Sequence, residues 1–172
     1  MGYSQIYQSS RGVTLIETLV YMAVFVVLSV GAVVALFNLA DLYAQYLVRQ
    51  SLHQSATMAM ERILLEVRQA DVLHESESQF LTDSGALELG QGTTTTRIFL
   101  DNEQVRLQVD GVDRGPLHTE AVTIDTLRFY QYETNGRRLI RMDIEMTASR
   151  GAFSQSLSVA GAATMRGSYS QE

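Results

Sequence analysis

The stretch Arg11–Ala40, RGVTLIETLVYMAVFVVLSVGAVVALFNLA, decides the fold. After Arg11 its single charged side chain is Glu17, and Thr18 to Ala40 runs 23 residues without a charge. At about 1.5 Å per residue, a helix of that length reaches about 34 Å and can cross a hydrocarbon core of about 30 Å. The run predicts a membrane-spanning helix. A carboxylate at the bilayer centre costs roughly 2.5–3.5 kcal/mol, so Glu17 needs either a partner or a shallow position near the positive end of the helix dipole.

Upstream lies the junction Ser9-Ser10-Arg11-Gly12, followed by Val13-Thr14-Leu15-Ile16-Glu17 and then the apolar run. This order resembles the class III signal of type IV pilins and pseudopilins. The resemblance implies that a prepilin peptidase cuts between Gly12 and Val13 and methylates the new amino terminus at Val13. It also implies that Glu17, fifth in the mature chain, pairs with the amino terminus of a neighbouring subunit during assembly. Burial of a carboxylate between packed helices demands such a partner on physical grounds alone. Val13 stands where relatives mostly carry phenylalanine. Arg11 and Arg49 flank the run on opposite sides, so the charge bias is small and orientation follows the resemblance. Residues 1–12, polar and without period, read as a leader to be removed.

Downstream of Ala40 the helical pattern continues, with no proline and no glycine until Gly85. Ala56, Met60, Ile63, Val67 and Ala70 recur at spacings of 4, 3, 4 and 3, an apolar stripe on one helix face. Arg62 and Glu66 form an i,i+4 pair on the polar side. One helix is expected from Val13 to Ala70, its first half in the membrane (13–40) and its second half (41–70) an amphipathic continuation laid on a sheet.

Residues 71–172 read as a β-rich head. Asp71 to Gly85 is polar and is expected to be a loop with Phe80 and Leu81 tucked beneath it. The first convincing strand follows Thr93–Thr96, with Arg97–Asp101 and Gln104–Val109 joined by a short turn, and Asp110–Pro116 reads as a turn-rich loop. Val122–Glu133 and Leu139–Thr147 flank Asn135-Gly136, a strong hairpin signal. Along the return strand Ile140, Met142, Ile144 and Met146 are expected to point inward, with Arg141, Asp143 and Glu145 outward. Phe153–Val159 is the last strand. The fold class is therefore α+β: a long N-terminal helix packed on an antiparallel sheet, as in pilins. The helix ending AMERILLEVRQA, the strand LRFYQY and the closing TMRG are similar in layout to the minor pseudopilin J and minor pilin W group.

The composition narrows the function. Net charge is -6, so no direct nucleic-acid contact is expected. The chain has no cysteine, which excludes disulfides, thiolate zinc sites and cysteine nucleophiles. His53, His74 and His118 are widely separated and read as surface or interface residues. No Ser-His-Asp signature or phosphate loop occurs, and no enzyme activity or cofactor is expected. For a metal, Asp101, Glu103, Asp110 and Asp113 are weak calcium candidates, oxygen ligands on loops without the spacing of an EF-hand. Phe129, Tyr130 and Tyr132 form an aromatic group that either packs in the core or meets another subunit.

The expected function is structural: a minor pilin or pseudopilin of a type IV pilus, competence fibre or type II secretion pseudopilus. Its partners would be the prepilin peptidase, other pilin or pseudopilin subunits, the assembly platform and the membrane. As a single-pass precursor it would sit in the cytoplasmic (inner) membrane with the head outside, then in the pilus or pseudopilus. Two alternatives remain: a membrane-anchored extracytoplasmic binding domain that does not assemble, and a soluble protein exported through a Sec signal cleaved near Leu36.

Overall fold

The computed structural model describes residues 14–134, 137–151 and 153–169. The chain divides into two compact units between Tyr43 and Ala44. One helix, α1 (Leu15–Gln69), supplies almost all the described part of the first unit and the opening element of the second.

Helix α1 begins on a cap written in the sequence. Thr14-Leu15-Ile16-Glu17 fits the pattern of a capping box, and the Glu17 N–H donates to Thr14 Oγ1 at 3.3 Å. No proline interrupts the 55 residues that follow, and the lone glycine, Gly31, has open space around it. In the first unit the large apolar side chains from Leu15, 82% exposed, through Leu42 lie uncovered. That is the surface expected of a helix whose solvent is lipid.

In the second unit α1 buries Val48, Leu52, Ser55, Ala56, Ala59, Ile63 and Val67. Ala56, Ile63, Val67 and Ala70 of the expected stripe are buried and Met60 is half-buried; the stripe extends two turns further back than expected, to Val48. Arg62 and Glu66 make their ion pair at 2.6 Å on the outer side.

The helix packs on antiparallel strands, and these form two hydrogen-bonded sheets. The first has five strands in chain order: β1 (Val72–Leu73), β2 (Ala86–Gln91), β3 (Thr94–Asp101), β4 (Gln104–Val109) and β5 (Val112–Pro116). The second has three, also in chain order: β6 (Val122–Thr134), β7 (Arg137–Arg150) and β8 (Phe153–Thr164). A short 3-10 turn, Arg166–Tyr169, follows. Ile98 lies opposite Leu107 in one sheet, while Phe129 faces Met142 and Ile144 faces Val159 in the other. Together with the helix stripe these side chains make one core.

The two sheets meet along β6. Gly85 N–H donates to Leu127 O at 2.7 Å, Leu127 N–H to Asp83 O at 2.8 Å, and Leu81 N–H to Phe129 O at 3.0 Å. Ile124 N–H donates to Glu103 O at 2.9 Å. Thus the outer edge of β6 is sealed by backbone from the preceding loop and turn, as an edge strand requires. Arg128 Nε donates to the Asp83 carboxylate, which holds the guanidinium pKa above its ordinary value.

Several expectations are corrected here. Val72–Leu73, expected in the loop, forms β1, and Ala86–Gln91, left unassigned in the sequence, is a strand although Ala, Leu and Glu favour helices; pairing with both β1 and β3 overrides propensity. Val112–Pro116 is a strand and not a loop. Asp110 and Gly111 both take positive φ, 51° and 77°, which closes a two-residue hairpin and returns the chain along β4. Pro116 is tolerated because β5 is an edge. Phe80 packs against the core as expected, but Leu81 is 73% exposed. Asn135 and Gly136 lie outside the described residues, yet Thr134 pairs with Arg137 across them. Ile140, Met142, Ile144 and Met146 are all buried, with Arg141 and Glu145 exposed and Asp143 half-buried.

Candidate functional site

The first turns of α1 bring together a cluster of polar groups at the start of the apolar run. Thr14 O accepts from the N–H groups of Glu17 at 3.0 Å and Thr18 at 3.2 Å. Thr18 Oγ1 donates back to the carbonyls of Thr14 and Leu15, at 3.2 and 2.9 Å. Its hydroxyl is thereby satisfied within its own helix. In a complete capping box the acid reaches back to the cap N–H. Here the Glu17 carboxylate turns forward, and Tyr21 Oη donates to Glu17 Oε1 at 2.9 Å. The carboxylate also sits where the helix dipole is positive.

Glu17 is thus in the first turn of α1, at the start of its exposed apolar stretch. Gly12 and Val13 lie outside the described residues. Tyr21 was missed by the sequence reading; the signal was present as a donor and an acceptor one turn apart in a run with few other polar groups.

The other candidates do not converge. Asp101 and Asp113 are both engaged by Arg106, whose Nη1 is 3.5 Å from Asp101 Oδ2 and whose Nη2 is 2.5 Å from Asp113 Oδ2. Asp113 Oδ1 accepts from Gly115 N–H at 2.8 Å, and Asp110 Oδ1 from Thr95 N–H at 2.8 Å. Glu103 sits in the β3–β4 turn at φ 60°. Among the described residues no group of three or more His, Cys, Asp or Glu side chains is placed to hold a metal ion.

His53 is exposed and His74 half-buried, but His118 is 5% exposed, contrary to expectation. Its Nε2 accepts from Val105 N–H at 3.3 Å, while Nδ1 lies 3.0 Å from Thr119 O. The segment after β5 folds under at this point, because Leu117 N–H also bonds Val105 O and Thr119 N–H bonds Ser55 Oγ on the helix. The aromatic group divides: Phe129 is fully buried, Tyr130 lies under the Arg141 guanidinium at 5.6 Å, and Tyr132 is 49% exposed. Asp143 holds the Arg141 pKa above its ordinary value through its hydrogen bond.

The decisive feature is therefore the head of α1. Residues 7–33 match the family model of the prokaryotic N-terminal methylation motif. The match covers Ser9 to Gly12, the capped first turn with Glu17, Tyr21 one turn on, and about two thirds of the apolar run. The motif indicates a type IV pilin-like precursor, which with the apolar N-terminal helix fits a membrane-anchored one, and it implies a prepilin peptidase and other pilin subunits as partners in general. No curated protein and no solved structure gives a significant match to the chain.

Proposed function

We propose that the chain is a non-enzymatic minor pilin or pseudopilin, a subunit of a type IV pilus, competence fibre or type II secretion pseudopilus. The methylation motif set directly on an uncovered apolar helix carries this reading. The precursor resides in the cytoplasmic membrane with residues 13–40 spanning it and, beyond the amphipathic continuation 41–70, the head 71–172 on the outer side. Prepilin peptidase removes residues 1–12 and methylates Val13. The assembly platform then draws the helix into the fibre among other subunits.

Glu17 is the register residue in this scheme. In a packed helix bundle a lone carboxylate is strongly destabilising, and the amino terminus at Val13 of a neighbouring subunit supplies the opposite charge. The helix ending AMERILLEVRQA, the strand LRFYQY and the closing TMRG support the minor pseudopilin J and minor pilin W group as the subclass we assign.

The test is the intact mass and N-terminal peptide of protein isolated from membranes of its native host. A terminus at Val13 carrying one added methyl group is expected. An uncut Met1 terminus would instead indicate a membrane-anchored domain that does not assemble, and a terminus near Leu36 an exported soluble protein. Glu17→Ala is expected to leave cleavage intact and to impair methylation or incorporation; normal incorporation would overturn the register role.

A further inference from the structure

Two polar side chains inside the apolar helix satisfy each other. Tyr21 and Glu17 are one turn apart on the same face of α1, and Tyr21 Oη lies 2.9 Å from Glu17 Oε1. In lipid neither group has water to turn to, so an unpaired phenol and an unpaired carboxylate would each be costly. Nearby donors are already committed: the Thr18 hydroxyl to the Thr14 and Leu15 carbonyls, and the Glu17 N–H to Thr14. The carboxylate also does not close the capping box by turning back; it is drawn forward along the helix toward Tyr21.

We infer that Tyr21 is a positioning residue for Glu17. It fixes Oε1 from within the chain and leaves Oε2, which has no hydrogen bond among the described residues, to accept a second donor from outside. An ammonium group is the chemistry that fits, since a carboxylate with one oxygen held by a neutral donor still offers the other oxygen's lone pairs to a charged donor. This inference rests on the assembly reading, in which that ammonium is a neighbouring subunit's amino terminus. It adds that the carboxylate is oriented before the neighbour arrives, so less side-chain freedom is lost when the contact forms. A tyrosine near a membrane surface can also serve simply as an aromatic anchor. The hydroxyl separates the two roles, because an anchor needs the ring and a positioning residue needs Oη.

Two measurements on the full chain decide it. In the native host, the share of Tyr21→Phe recovered in fibres relative to membranes is expected to fall about tenfold, the effect of losing one hydrogen bond to a charged group. Leader removal should be unchanged. In a Glu17→Ala background, adding Tyr21→Phe should change nothing further. Wild-type incorporation of Tyr21→Phe, or a further tenfold loss in the double variant, overturns the proposal.

Independently of assembly, the infrared carboxylate band of 13C-glutamate-labelled chain in lipid nanodiscs should contain a Glu17 component, identified by its absence in Glu17→Gln, that shifts in Tyr21→Phe. An unmoved band with Glu17→Ala still defective sinks this proposal alone. A shifted band with Glu17→Ala incorporated normally sinks the assembly reading and takes the positioning role with it.

Discussion

The hydroxyl of Ser55, fully buried in the docked half of α1, meets that of Thr119 at 2.9 Å and also accepts the Thr119 N–H at 3.3 Å. A single helix position thereby holds the segment that connects the five-stranded sheet to the three-stranded one. Ser55→Ala leaves Thr119 without these partners and is expected to cost about 1–2 kcal/mol. Thermal unfolding of the full chain in detergent should show a midpoint lower by about 3–8 °C. A midpoint within 1 °C of wild type would show that the network contributes nothing.

His118 sits behind that contact and accepts the buried Val105 N–H. His118→Leu keeps apolar bulk but leaves a strand N–H with no acceptor, an expected loss of about 1–3 kcal/mol. Amide exchange at Val105 should accelerate more than at Leu107 on the same strand. Equal changes at the two positions would mean that the side chain acts through packing alone.

Two glycines should respond differently to alanine. At Gly85 an added Cβ would lie 2.6 Å from the Leu127 carbonyl oxygen, which is fixed by the Gly85 N–H itself. At Gly161 the nearest atoms are Cε and Sδ of Met60, the far end of a flexible side chain. Gly85→Ala is expected to destabilise by about 2 kcal/mol or more and Gly161→Ala by under about 1 kcal/mol. Denaturant midpoints of the two variants check the order, and the reverse order would contradict it.

Calcium at the acidic turns would have to displace Arg106 from both Asp101 and Asp113. Millimolar calcium is therefore expected to move the unfolding midpoint by less than about 1 °C, since an ion stabilises only in proportion to its binding. A larger shift abolished by Asp113→Asn would restore these acids as a site. Because Arg106 is partly exposed, its own pairs contribute little, and Arg106→Met should cost at most about 1 kcal/mol.

Much of the architecture was legible where a local rule and the tertiary context agreed. The span, the stripe of Ile63 and Val67, and the alternation from Ile140 to Met146 follow from hydrophobic period. Ala86–Gln91 and Val112–Pro116 escaped because their own composition argues for something else, and only neighbouring strands make them extended. Ser55 and His118 were illegible for another reason. A lone polar residue gains its meaning from a partner 64 or 13 positions away, and no period announces such a partner. Of the candidate site, Glu17 stood out by its cost in lipid, whereas Tyr21 passed as one of three aromatics in the run unless its hydroxyl was read one turn from the carboxylate.

The docked face of α1 also imposes an order on biogenesis. Val48 to Val67 are synthesised before any strand that covers them, and roughly 100 residues separate Gln69 from the end of β8 at Thr164. At about 5–20 residues per second, that apolar stripe waits on the order of 5–20 s for its sheet. Ala163 and Met165, which close the core, arrive last. Throughout that interval the nascent chain presents a greasy span followed at once by a greasy stripe. Its safe handling depends on whatever shields α1 until the final hairpin snaps shut.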